Sequence, residues 1–223
     1  MLSIVIPTLQ AGATLGATLE ALAGNGLAGE VVVVDAGSTD ATRDIVAGAG
    51  ARLIEASRGR GSQLAAGGAA ATGDWLLFLH ADTVPGPGWE EAVAAFIGDP
   101  ANRERAAAFR FALDDPVPAA RRLERLVDWR TRVLGLPYGD QGLLIARDFY
   151  RSLGGFAPIP LMEDIDLVRR IGRARLAVLD AAAVTSAARY GNEGYLRRSL
   201  RNLGCLSLFF LGVDPRRIER LYR

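Results

Sequence analysis

Four short apolar runs in the first part of the chain each end in polar residues, and stretches with helical spacing separate them. The runs fall at residues 2–7, 30–35, 52–55 and 75–79, and the helical stretches at 13–23, 41–49 and 63–71. The valines from Val31 to Val34 are consecutive, which suits a strand buried on both faces. Strands joined by helices of this length predict an α/β fold, built on a mostly parallel sheet with right-handed crossovers. The chain has 223 residues, half of them apolar, enough for one such domain and a small C-terminal extension.

The later pattern is less regular. Helices are expected at 89–97, 118–134, 147–153, 165–171, 195–211 and 215–222, and strands at 107–113, 142–146 and 176–179. No internal repeat and no low-complexity linker interrupts them.

Composition removes several classes of function. The net charge is +1, so no bulk field draws nucleic acid. All basic residues are arginines, and without lysine there is no Walker-type phosphate loop. The single cysteine, Cys205, forms no internal disulfide and no metal cluster, and suits a buried helical position. The N-terminal run lacks the basic start and small-residue cleavage site of a signal peptide. The apolar stretch at 203–213 is shorter than the roughly 20 residues of a spanning helix. A cytoplasmic protein is expected. Leu196, Leu200, Leu203, Leu206 and Phe210 lie at helical spacing among arginines. That face would pack on the rest of the protein or on a second subunit in a homo-oligomer. Alternatively, it would lie on a membrane surface and serve a lipid-linked acceptor.

In parallel sheets, ligands sit beyond the carboxyl ends of the strands. Pro7 and Thr8 follow the first run, and Asp35 to Asp40 the second. Arg58 and Arg60 follow the third, and His80-Ala81-Asp82 the fourth. Asp35 stands where a carboxylate accepts hydrogen bonds from a nucleobase or ribose. Ser38, Thr39 and Asp40 also read as caps for the next helix. An imidazole and a carboxylate at i and i+2 of an extended segment project to the same side. A divalent cation carried on a diphosphate needs only one or two protein carboxylates, and Asp82 supplies one. His80, the only histidine, also reads as an ordinary satisfied polar residue. Glu163 and Asp164 open a helix, where the dipole favours acids and where a general base can be presented. Asp140-Gln141 and Arg189-Tyr190 complete the candidates.

Taken in order, several segments resemble the family 2 glycosyltransferases of GT-A fold. They are Ser3-Ile4-Val5-Ile6-Pro7-Thr8, then Val32-Val33-Val34-Asp35-Ala36-Gly37-Ser38-Thr39-Asp40, and Gly67 to Asp74 running into Leu76 to Thr83. Gly139-Asp140-Gln141-Gly142 and Met162-Glu163-Asp164-Ile165-Asp166-Leu167 follow. The chain is most similar to a compact bacterial subgroup, the radical-SAM/selenodomain-associated transferases, including its Asp214-Pro215 and Leu221-Tyr222-Arg223 ending.

The resemblance implies a Rossmann-like sandwich over residues 1–190, with a nucleotide-binding half at about 1–98 and an acceptor half at about 99–190. A helical extension would occupy 191–223. It implies inverting transfer from a UDP- or GDP-sugar with Mg2+ or Mn2+. Pro7, Thr8, Asp35, Arg58, Arg60 and His80 would hold the donor and Asp82 the metal. Asp164 would be the base and Glu163 would orient the acceptor. Asp140, Gln141, Arg189 and Tyr190 would contact acceptor or diphosphate. The family's metal motif usually begins with aspartate where this chain has His80, and Tyr190 stands where relatives often carry tryptophan. A sugar-nucleotide nucleotidyltransferase would want a glycine-rich basic loop after the first strand, which is missing. A nucleotide-sugar-binding protein without catalysis is the remaining alternative, and the presence of Asp82 with Glu163-Asp164 argues against it.

Overall fold

The structure is a computed structural model that describes residues 1–24 and 26–222; Arg223, part of the ending noted above, lies outside the described residues. Four strands, β1 (Leu2–Thr8), β2 (Ala28–Asp35), β3 (Arg52–Glu55) and β4 (Trp75–Phe78), run parallel in the order β3-β2-β1-β4. Helices α1 (Leu15–Leu22), α2 (Thr42–Gly48) and α3 (Arg60–Ala70) make the crossovers. Of the strands, β1, β4 and the second half of β2 are buried on both faces, and Ile4, Val5, Ile6, Val32, Val33, Val34, Leu76 and Leu77 are wholly inaccessible. That burial is what their unbroken apolar runs demand.

The other half is mixed, and two of its strands are reversed. Between β4 and β6 (Ala106–Leu113) lies β7 (Leu143–Ala146), antiparallel to both. Parallel to β6 lies β8 (Leu176–Thr185), and β5 (Thr83–Pro85) closes the edge antiparallel to β8. Around this half lie α4 (Trp89–Gly98), α5 (Pro118–Trp129), α6 (Arg147–Ser152), α7 (Glu163–Ile171) and α8 (Ala188–Glu193). The chain ends in α9 (Tyr195–Phe210) and α10 (Pro215–Tyr222), which share a small core of Leu161, Cys205 and Ile218. The expected α/β fold, with a mostly parallel sheet and C-terminal helices, is the one adopted. Among the described residues no helix is long and apolar enough to cross a membrane.

Some boundaries differ from the sequence expectation. The last strand runs six residues past Leu179, through Ala181, Ala182 and Ala183, because small side chains fit beneath the flanking helices. Alanine has little strand propensity, so tertiary packing overrides it there. The expected helix at 118–134 is α-helical only to Trp129 and ends in a π-type turn, Arg130–Leu134. The strand β5 and the helix α8 had no periodic signal of their own. Packing of α3 on the sheet requires Gly67, where a Cβ would lie 2.3 Å from Val5 Cγ1.

Candidate active site

Strand register brings the polar ends together. Thr8 pairs with Asp35, and Asp35 with Glu55, so the loops after β1, β2 and β3 leave the sheet side by side. The first two loops are laced to each other. The Gln10 amide donates to Ser38 Oγ at 2.8 Å, the Ala11 amide to Thr42 Oγ1 at 2.9 Å and the Gly12 amide to the Asp40 carboxylate at 2.8 Å. Gln10 holds a left-handed backbone, φ 53°, and its side-chain carbonyl accepts the Thr39 and Asp40 amides at 3.1 and 3.2 Å. A non-glycine residue keeps such a conformation only when its surroundings fix it.

Asp35 lies beneath this loop and is wholly inaccessible. It accepts from the Ser38 hydroxyl at 2.5 Å, the Ser38 amide at 2.9 Å, the Gly37 amide and Arg43 Nε at 3.1 Å, and the Thr8 hydroxyl at 3.2 Å. Burial pushes its pKa up, but the Ser38 bonds, Arg43 and Gly37 outweigh burial and hold it below the ordinary carboxylate value. Asp35 therefore holds the loop after β2 from below, where the sequence suggested a direct ligand contact. Ser38 is committed to Asp35 and Gln10, so the capping role falls to Asp40, which accepts the Thr42 amide at 3.1 Å.

Two clefts meet beside this rim. The larger, about 700 Å3, runs over Pro7, Thr8, Gln10, Arg58 and Gln63. The smaller, about 110 Å3, lies among Tyr138, Asp140, Asp164 and Tyr190, with Arg198, Asn202 and Tyr222 contributed by α9 and α10. Arg60, His80, Asp82 and Arg189 line both clefts. His80 and Asp82 sit in a turn, with the Thr83 amide donating to the His80 carbonyl at 3.2 Å, where an extended segment was expected. The turn still brings both side chains to the junction. Burial, with Arg60 and Arg189 adding to it, pushes the His80 pKa well below its ordinary value, so the ring is neutral. The Asp82 carboxylate has no hydrogen-bond or ion-pair partner among the described residues, and no group of three or more potential metal ligands surrounds it there. One or two open ligands fit a divalent ion whose remaining ligands are phosphate oxygens and water.

Asp164 lies in the first turn of α7, one residue after its start. Its Oδ2 accepts the Gly139 amide at 2.7 Å and its Oδ1 the Ile165 amide at 2.8 Å. Each oxygen keeps one further lone pair, enough to accept a proton from a bound hydroxyl. Gly139 permits this approach, since a Cβ there would lie 2.6 Å from His80 Nε2 and 3.4 Å from Asp164 Oδ2. Asp140 lines the small cleft with a buried Oδ1 that has no hydrogen bond. Burial raises its pKa to about 6, against the pull of Arg130 and helped by Asp164 and Asp82.

Glu163 faces the apolar space behind the small cleft, beside Leu64 and Phe78, and not the cleft itself. Neither carboxylate oxygen is hydrogen-bonded, and Arg60 NH1 stands 3.6 Å away. Burial pushes its pKa to about 7, opposed by Arg60 and assisted by Asp164. Gln141 is also off the surface. Its carbonyl accepts from Arg130 at 3.2 Å, Thr131 at 3.1 Å and the Tyr138 amide at 3.3 Å, and its amide donates to the Phe109 carbonyl at 3.0 Å. It holds the turn that aims Gly139 and Asp140. Arg189 and Tyr190 do reach the clefts, Tyr190 stacked on Tyr195 at 5.2 Å between centroids.

Tyr138, Arg198 and Asn202 carried no sequence signal, and Tyr222 was marked only as part of the Leu221-Tyr222-Arg223 ending. Tyr138 lies under the Arg130 guanidinium at 3.4 Å, and Arg198 bonds the Tyr222 hydroxyl at 3.0 Å. Gln10 had one readable cue, its place directly after a strand end.

The family model for Glycosyl transferase family 2 matches residues 3–138, more than half of the chain. The chain belongs to glycosyl transferase family 2. This family member is 42% identical over 108 residues to the PGL/p-HBAD biosynthesis glycosyltransferase Rv2957 of Mycobacterium tuberculosis (strain ATCC 25618 / H37Rv). The match covers 44% of this chain and 42% of that protein, and the same values hold for the Mycobacterium bovis counterpart Mb2981. The chain thus spans less than half the length of these curated relatives.

The fold is that of glucosyl-3-phosphoglycerate synthase from Mycobacterium tuberculosis, a GT-A glycosyltransferase. In complex with Mn2+, UDP and glucosyl-3-phosphoglycerate, that structure gives a TM-score of 0.60 at 23% identity, covering 83% of this chain and 70% of that one. Its complex with Mg2+ and UDP gives 0.60 at 22% identity, covering 91% and 78%.

Proposed function

We propose that this family 2 member transfers a sugar from a UDP-sugar to an acceptor hydroxyl with inversion, using a divalent metal. The observation that carries the reading is the pair of clefts joined at Asp82, one with an unpartnered carboxylate and a basic wall, the other ending on Asp164. The fold neighbour's complexes with UDP and Mn2+ or Mg2+ support the choice of donor and metal.

In this reading the nucleoside lies in the larger cleft, over Pro7, Thr8 and Gln10 on the loop that Asp35 holds from below. Arg58, Arg60 and Arg189 face the diphosphate, where a planar guanidinium suits phosphate oxygens. Neutral His80 packs beside the donor. Asp82 would hold the metal, which when bound neutralises charge on the departing diphosphate. The acceptor enters the smaller cleft between Tyr138, Asp140 and Tyr190. Asp164 takes the proton as the acceptor oxygen bonds to the anomeric carbon and the bond from that carbon to the diphosphate oxygen breaks. Glu163 acts through Arg60, fixing its guanidinium at the junction.

The test is UDP release from a panel of UDP-sugars with water as acceptor, with Mn2+ or Mg2+ and with chelator. Metal-dependent release of free sugar and UDP from one donor supports the reading. Donor binding with no release from any sugar would leave a binding protein.

A further inference from the structure

The outward face of α9 is apolar and uncovered. Leu196 is 74% exposed, Leu200 58%, Leu203 57%, Phe210 47% and Leu211 79%. At about 100° per residue these five positions fall within a stripe roughly 100° wide. The opposite side of the helix is committed to the protein, through buried Arg198 and Cys205. The sequence allowed this stripe to pack against the domain, and only its Leu206 does so. Large apolar side chains grouped along one helix mark a contact surface, whereas single ones scattered over a protein do not.

Charge selects the occupant. Tyr195–Tyr222 carries six arginines against two acids, Asp214 and Glu219, and even with Arg198 and Arg201 paired to Glu193 of α8 four arginines remain, while the whole chain is only +1. The remainder of the protein is therefore net acidic, and positive charge is concentrated on α9, which carries the apolar stripe, and on α10 beside it. Arg197, Arg216, Arg217 and Arg220 are exposed. A second copy of the chain would bring two such basic surfaces together. An anionic surface would be attracted by the arginines while the leucines enter it. A helix with a strong apolar face and a basic polar face is the form that lies in a membrane interface.

We propose that α9 and α10 dock the protein on an anionic lipid bilayer, with the Leu196, Leu200, Leu203 and Phe210 stripe entering the headgroup boundary. These are also the helices that supply Arg198, Asn202 and Tyr222 to the small cleft. The surface therefore deepens the transferase reading: the acceptor is a hydroxyl borne on a lipid. The docking itself does not depend on that reading.

The test is co-sedimentation of the purified chain with phosphatidylglycerol vesicles and with phosphatidylcholine vesicles. The expected result is binding to the anionic vesicles, weakened at least tenfold in L200D/L203D and reduced by high salt. Both side chains are exposed, so the variant should keep its melting temperature and its affinity for UDP with Mn2+. Those two readouts separate failure of docking from failure of the transferase reading. Absence of binding to anionic vesicles overturns the proposal, as does binding that L200D/L203D leaves unchanged. Light scattering that shows a dimer dispersed by L200D/L203D would assign the face to a second copy and also overturn it.

Discussion

Replacing Asp164 by asparagine separates its chemical task from its structural one. Both carboxylate oxygens accept backbone amides, Gly139 at 2.7 Å and Ile165 at 2.8 Å. Whichever way the asparagine turns, its NH2 meets one of those donors, so one hydrogen bond is lost. That loss costs about 1 kcal/mol, or roughly fivefold in any property that depends on placement alone. Loss of a general base costs about 10²–10⁴-fold, or at least about 2.7 kcal/mol of barrier. The larger cleft does not include Asp164, so donor affinity should change little. The expected outcome is a fall in kcat for UDP release of at least about 100-fold, with the donor Kd by calorimetry within about fivefold of wild type. A fall of only fivefold would refute the base assignment. A donor Kd weakened by the same factor as kcat would refute it too, since the variant would then report collapse of the donor site.

Other outcomes follow from the same geometry. Glu163 has its pKa raised to about 7 by burial, so the folded protein holds a proton that the unfolded chain releases near 4.5. Stability should therefore fall as pH rises from about 4.5 to 7 and level off above. Urea midpoints at pH 5 and 8 should fall further in wild type than in Glu163→Gln, in which Asp140 and His80 still titrate; parallel profiles would contradict it. Asp35→Ala leaves the buried Ser38 donors facing a gap, while half-exposed Arg43 keeps Glu55, at a cost of about 1–3 kcal/mol in unfolding free energy. Because the Asp35 pKa is held below its ordinary value, that contribution is present above about pH 4 and fades as pH falls further. Wild type and Asp35→Ala should thus converge in acid, and a neutral-pH loss under about 1 kcal/mol would contradict the role. Gly139→Ala places a Cβ 2.6 Å from His80 Nε2. Relieving that contact displaces the catalytic turn by nearly an ångström and should lower kcat about 100-fold with little change in melting temperature; a wild-type kcat would refute the close approach.

Much of this was legible in the sequence, and the exceptions share a cause. The parallel half could be read from its apolar runs because burial on both faces leaves no other pattern. The polar strand ends pointed to the rim for the same reason. His80, Asp82, Asp140, Asp164, Arg60 and Arg189 do line the clefts. Sequence marks a residue as placed at a strand end or helix start, but not which way its side chain turns. Asp35 and Gln141 face inward and hold loops, and Glu163 faces the apolar space behind the cleft. Residues far along the chain left no local signal: Tyr138 depends on Arg130 beneath a π-type turn, and Arg198 and Tyr222 depend on how α9 and α10 fold back. The alanines of β8 hid the continuation of the expected strand past Leu179, which rests on its neighbours.

The most direct test of the central claim is a thermal-shift measurement with UDP and with GDP, each with and without Mn2+. A nucleotide that prefers the folded state raises the melting temperature by mass action. The account predicts a shift with UDP that requires Mn2+ and disappears in Asp82→Ala. An Mn2+-independent shift, or one that Asp82→Ala retains, would contradict the assignment of Asp82. No shift with either nucleotide would contradict the donor cleft itself.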